Sequence, residues 1–493
     1  MTSLFKHNTI TSIIIAITCL IFIFVGYEAV EYGIDWYAFI PLLALALMFM
    51  VMQFHYTLFV VALLTPFSLF TKYEVVSVTL PTEPMLLFMM VVFLFELSLQ
   101  KHINKKIFTN LVSVCVIASL VWIIISSCFS TDLFVSFKHI LARLWFVIPC
   151  YFMALFIFKD SKKILWFIAC YGFSLSVVII ISTIKYALKG FDHDYADYIM
   201  MPFYSDHTAY GAAIGLLLPI SLYYLFSKKT LYNNIYVRVL FAFISICLIV
   251  GFVFSYARAT WISIVLAGGI LLLIKLKLKK RTLISLGILG ALLIVLSWNF
   301  IIGKMSENSQ DSSGNISEHI QSMSNISTDA SNTERLNRWA CALQMAKERP
   351  LVGWGFGTYQ FEYGRFQKSK DLTIISTNEG TLGNAHSEYL GPLCETGILG
   401  MLTMMMIFGA TIYIGIRAYY RIKDRDLANL CLFITISLIT YYIHGIMNNF
   451  LDTDKLAIPF WAMTSMVVAL DLYSIKKEKE ENLINNIQKE ENI

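Results

Sequence analysis

Apolar residues in this chain come in long blocks, not in a strand-like or surface-helix alternation. Blocks of roughly 17–25 residues, the length a helix needs to cross a bilayer, lie near 9–26, 36–53, 55–71, 84–99, 108–127, 138–158, 163–184, 207–226, 237–256, 258–275, 282–302, 397–416, 427–444 and 456–474. The blocks meeting at 53–55 and at 256–258 are read as separate, because 36–71 and 237–275 are too long for one crossing. The pattern predicts an all-α polytopic membrane protein with about 12–14 transmembrane helices. Composition agrees, with 57% hydrophobic and 14% charged residues, against about 45–50% and about 25% in soluble domains. A soluble enzyme, a disordered chain and a nucleic-acid binder are excluded.

The formal net charge of +5 gains meaning only when it is placed along the chain. Cations gather in alternate connections: Lys101, Lys105 and Lys106; Lys159, Lys162 and Lys163; Lys228, Lys229 and Arg238; Lys275 to Arg281; Arg417, Arg421, Lys423 and Arg425. The intervening connections are poor in cations, and two carry Glu28, Glu31 and Asp35, or Asp452 and Asp454. By the positive-inside rule both ends then lie in the cytoplasm. The first block lacks a small-residue cleavage site and reads as an anchor. Four regions follow: transmembrane helices over 1–302, a large periplasmic loop over 303–396, three more transmembrane helices over 397–474, and a charged cytoplasmic tail over 475–493.

Polar chemistry collects on the outer side. In the large loop, Asn332-Thr-Glu334 reads as a helix start. Arg335, Arg338 and Trp339 then share a helix face. Gly353, Gly355 and Gly357 follow Pro350 as a tight turn in which chain approaches chain, not as a nucleotide loop. A second polar-to-helix transition carries His386, Glu388 and Tyr389. Arg258 sits between two blocks at the membrane edge, either as a snorkelling helix end or as a functional cation. The shorter outer loop 185–206 holds Asp192-His193-Asp194, Asp197 and Asp206, and is read as a solvated acidic loop. His207 stands at its membrane end, placed to touch a substrate. Cys341 and Cys394 share the large loop and can pair in an oxidising space. The remaining histidines show no ligand spacing, so neither a metal site nor a cofactor is expected.

Taken in order, three pieces resemble the O-antigen ligase / O-antigen polymerase superfamily of bacterial inner-membrane glycan enzymes. They are Ser255-Tyr-Ala-Arg258-Ala, then Arg335-Leu-Asn-Arg338-Trp339 with Pro350-Leu-Val-Gly353-Trp-Gly355-Phe-Gly357, then Ala385-His386-Ser387-Glu388-Tyr389-Leu390 with Glu395-Thr-Gly397-Ile-Leu-Gly400. The likeness covers roughly 250–400; Ser387 departs from it, since Asn is expected after the histidine more often. The resemblance implies a GT-C-like, metal-independent glycosyltransferase. It would use an undecaprenyl-diphosphate-linked glycan as donor, and O-antigen ligation to lipid A–core is the favoured reaction. Polymerisation of lipid-linked repeats and transfer to protein hydroxyls are the related alternatives. It further implies functional roles for Arg258, Arg335 and His386.

The residues fit that chemistry. A departing diphosphate builds negative charge that arginines meet with planar, bidentate contacts. A hydroxyl acceptor needs a base or an orienting partner, for which His386 is the candidate. A helix N-terminus after Asn384 is expected to place backbone N–H groups near an anion. Arg338, Trp339, Glu388, Tyr389 and His207 are the expected substrate contacts. A lipid-linked glycan flippase is the competing class, but it would carry charges in mid-span, and these blocks are nearly charge-free.

Overall fold

The computed structural model describes residues 53–72, 77–99, 105–192, 195–227, 234–276, 330–367 and 383–491, with isolated positions at 285, 292 and 296. The expected spans at 9–26, 36–53 (apart from Gln53) and 282–302 (apart from the isolated positions) lie outside the described residues, as do parts of the 303–396 loop and His193-Asp194. The chain divides into two compact units, Met1–Leu58 and Phe59–Ile493, and the candidate site lies entirely in the second.

The described elements are α1 (Phe54–Leu64), a hairpin of β1 (Leu69–Lys72) and β2 (Ser77–Leu80), α2 (Thr82–Leu99), α3 (Lys106–Thr109), α4 (Leu111–Ser127) and α5 (Leu133–Val147). A π turn at Ile148–Met153 leads into α6 (Ala154–Ile157), followed by α7 (Ser161–Leu188), α8 (His207–Phe226), α9 (Ile235–Phe254) and α10 (Arg258–Lys275). The last elements are α11 (Ala330–Glu348), α12 (Tyr359–Glu362), α13 (Leu390–Arg421), α14 (Arg425–His444) and α15 (Asp454–Glu491). Among the described residues, nine helices are long and apolar enough to cross a membrane, and the protein is an all-α polytopic membrane protein.

The polar punctuation between apolar blocks acts as capping. Asn110, Asp132, Asp160, Asp206, Asn234 and Asp424 each accept a backbone N–H within the first turn of the helix they open. Each satisfies a donor that the helix itself leaves orphaned. The expected 55–71 span ends early, at Leu64. Pro66 opens a short 3-10 turn there, and the chain turns into the β1–β2 hairpin. The carbonyls freed at that break are not left bare. The Lys455 ammonium donates to Thr65, Pro66 and Ser68 oxygens at 2.7, 3.2 and 2.7 Å.

Helices α8, α14 and α15 bury most of their surface in protein, whereas α2, α9 and α10 leave most of theirs facing outward. Close helix approach rests on small residues, as is common in membrane bundles: a Cβ on Gly211 or Gly215 of α8 would press on Thr260 of α10. In the 350–357 turn, a Cβ on Gly353 would collide with the Glu395 backbone. That contact locks the turn onto α13, where Trp354 and Gly355 donate to the carbonyls of Cys394 and Glu395.

Candidate active site at one end of the bundle

Five helix ends meet at one end of the bundle: the starts of α8, α10 and α13, the end of α14, and the N-terminal half of α11. Arg258 is the first residue of α10 and interacts electrostatically with Arg335 and Asp197. Arg335 lies on α11, where burial lowers its basicity and nearby Asp206 offsets the effect. Two guanidiniums of like charge thus lie within electrostatic reach of each other, with Asp197 and Asp206 nearby.

Asp206 holds this region in place. It caps α8 by accepting from the Ala209 N–H at 2.8 Å and the Thr208 hydroxyl at 2.5 Å. Burial alone would raise its carboxyl, but these hydrogen bonds and neighbouring His207 keep it below its usual value. It is therefore an anion at neutral pH. His207 leans on Asp197 at 3.0 Å.

His386 occupies a left-handed backbone position, φ 46°. Its N–H donates to Asn384 Oδ1 at 3.0 Å, and its carbonyl accepts from Trp339 Nε1 at 3.3 Å. Burial, with Arg335 and Arg338 close by, pushes its imidazole down to about 4. At neutral pH the ring is uncharged.

The structure thus brings Arg258, Arg335, His386 and His207 into one electrostatically coupled group. The other expected contacts have structural partners. Arg338 is buried, donates to Glu334 at 2.6 Å and stacks over Tyr363 at 4.0 Å. Tyr389 donates its hydroxyl to the Tyr442 carbonyl at 2.8 Å. Glu388 accepts at one oxygen from the Tyr441 hydroxyl (2.6 Å) and from the Phe450 and Leu451 N–H groups (2.8 and 3.0 Å). It thereby ties the His386 segment to the turn after α14.

The expected anion site at a helix N-terminus is not formed. Ser387 Oγ accepts from the Tyr389 and Leu390 N–H groups, and the Glu388 N–H donates to the Gly445 carbonyl. Cys341 and Cys394 are both free thiols, buried in one apolar cluster. Among the described residues no group of three or more His, Cys, Asp or Glu is placed to hold a metal ion.

The residues that position alone did not single out are Asp206 and His444. His444, the last residue of α14, is buried within electrostatic reach of Arg335, Asp206 and His207. Its ring nitrogens contact Thr260 at 3.5 Å and Asn448 at 3.2 Å. The sequence separations, 184 residues for the Thr260 contact alone, explain why no motif exposes it.

Fold and site together define a polytopic helical membrane protein with a cation-and-histidine centre at one end of its helices. Residues 243–405 match the O-antigen ligase family. That stretch runs from α9 to the first part of α13 and contains Arg258, Arg335 and His386, so the superfamily resemblance read from the motifs is borne out. A 216-residue segment is 28% identical to an uncharacterised protein of Haemophilus influenzae, covering 43% of this chain and 49% of that protein. The chain thus spans about half the length of the curated relative it matches.

Proposed function

We propose that the protein transfers a glycan from an undecaprenyl-diphosphate donor to a hydroxyl acceptor on the periplasmic face of the inner membrane, the acceptor being lipid A–core. The observation that carries this reading is the convergence of Arg258, Arg335 and His386, which come from separate helices and a loop. The O-antigen ligase match supports glycan transfer as the class of reaction. The cation-rich connections support a cytoplasmic reading of the opposite face.

In this mechanism Arg258 and Arg335 grip the diphosphate at the membrane edge. The acceptor hydroxyl attacks the anomeric carbon, and a new C–O bond forms as the bond to the diphosphate oxygen breaks. The hydroxyl proton passes to His386, and the leaving group departs as polyprenyl diphosphate, its charge met by the guanidiniums. Arg338 and Trp339 act through position, one bracing α11 against Tyr363 and the other holding His386.

Deletion of the gene, followed by gel analysis of the surface polysaccharide, tests the reading. Loss of glycan from lipid A–core, with long lipid-linked chains accumulating, supports ligation. A single repeat left on the core would assign polymerisation instead, and an unchanged pattern would reject both. Re-expression of Arg258→Ala, Arg335→Ala or His386→Ala variants should not restore the wild-type pattern, although each protein inserts normally.

A further inference from the structure

The loop between α7 and α8 is pinned on several sides, yet it leaves two tyrosines facing outward. Phe191 stacks on Phe254 at 5.6 Å, and Lys185 donates to the Met201 carbonyl at 2.7 Å. Phe203 packs on Phe67 at 6.1 Å, and Asp197 meets His207 at 3.0 Å. Between these anchors Tyr195 and Tyr198 are 44% and 63% exposed. The Lys189 ammonium lies over the Tyr195 ring at 4.8 Å.

Two observations connect this rim to the cation centre. Asp197 interacts electrostatically with Arg258. Tyr186, at the end of α7, meets the Tyr256 hydroxyl at 3.3 Å, two residues before Arg258. The exposed rings therefore flank Asp197, which lies within electrostatic reach of the cation centre where the diphosphate is placed above.

We propose that Tyr195 and Tyr198, with the carboxylates of Asp192 and Asp197, form a carbohydrate subsite for the sugars adjoining the donor's diphosphate. The inference rests on the function proposed above and extends it. Aromatic rings offer flat apolar faces for the C–H faces of sugars, and with two side-chain torsions they lose little entropy on binding. The carboxylates accept from sugar hydroxyls. Two acids beside the rings suit a hydroxyl-rich ligand better than an anionic membrane surface, which they would repel.

The test uses the purified full-length protein with two probes: bare undecaprenyl diphosphate, and the glycan-bearing polyprenyl diphosphate extracted from the host. In a Tyr195→Ala/Tyr198→Ala variant, affinity for the glycan-bearing lipid is expected to fall on the order of tenfold, with bare-lipid affinity unchanged. A Tyr195→Phe/Tyr198→Phe variant, which keeps both rings, should retain most of the affinity. Equal weakening for both lipids in the alanine variant would make the rings membrane anchors and overturn the subsite. Unchanged affinity for both would overturn it as well. Wild-type protein that binds neither lipid would instead reject the underlying function, so the two failures are distinguishable.

Discussion

The Trp339 indole N–H donates to the His386 carbonyl at 3.3 Å, so the histidine is held by the helix that carries Arg335. His386 sits at φ 46°, a backbone position that costs a non-glycine residue energy unless its surroundings hold it. Trp339 and Asn384 supply that hold, one at the His386 carbonyl and the other at its N–H, on the two peptide units that flank its Cα. His386 and Arg335 are therefore both tied to α11.

Trp339→Phe tests this coupling, because it keeps an aromatic ring and removes the indole donor, along with part of the ring area. Loss of one such hydrogen bond is worth about 1 kcal/mol. A drop in kcat on the order of tenfold is expected with KM nearly unchanged, since the substrate still meets its arginines. A rise in KM at constant kcat would place Trp339 in substrate binding instead.

Arg335→Lys keeps the charge and loses the planar fork. If Arg335 grips a diphosphate bidentately, transfer should fall by roughly a hundredfold or more, since lysine offers only a point charge there. A variant with near wild-type kcat/KM would show that charge alone suffices.

Legibility in the sequence differed from one part of the site to another, for physical reasons. Arg335, Arg338 and Trp339 were readable because helix spacing places them together. Apolar block length located most of the described helices, and it failed at 55–71 because it does not register a proline break stabilised by a lysine 389 residues away. Glu388 and Tyr389 were legible as important but not for what they do. Their partners lie on and beyond α14, more than fifty residues on, which local pattern does not encode. Asp206 looks in sequence like any helix cap, and only the fold brings it beside Arg335.

The low basicity of His386 predicts a pH signature of substrate binding. Burial and the nearby guanidiniums push its imidazole down to about 4. A bound diphosphate brings negative charge, which favours the imidazolium and raises that value. The acid limb of kcat, which reports the complex, should therefore lie at higher pH than the acid limb of kcat/KM assigned to His386 in the free enzyme. The limb should be absent from the residual activity of His386→Ala. Coincident limbs in the wild-type protein would argue against the arginines and His386 sharing one substrate.

Fixed cations give the leaving group its countercharge in this mechanism, so transfer should persist in excess chelator. Activity of the purified protein with and without EDTA checks this. Loss on chelation, restored by a divalent ion, would shift attention to the acidic loop around Asp192 and Asp197.

Glu388 offers a stability test separate from catalysis. Its burial, with Asp452 nearby, raises the carboxyl from 4.5 to about 7. The unfolded chain releases this proton near 4.5, the folded chain only near 7. The folded protein therefore holds more protons across that window, and its stability falls as pH rises through it. Glu388→Gln keeps an oxygen acceptor for Tyr441, Phe450 and Leu451 and removes the titration. The variant's apparent Tm in detergent should overtake or approach that of the wild type as pH climbs from 5 to 8. Glu388→Ala takes the acceptor from the Tyr441 hydroxyl and the Leu451 N–H, leaves the Phe450 N–H only the Tyr441 oxygen at 3.1 Å, and should cost about 2–4 kcal/mol at any pH. If Glu388→Gln and the wild type keep a constant Tm difference across this range, the carboxyl does not titrate there, and the side chain acts only as a hydrogen-bond anchor for the turn after α14.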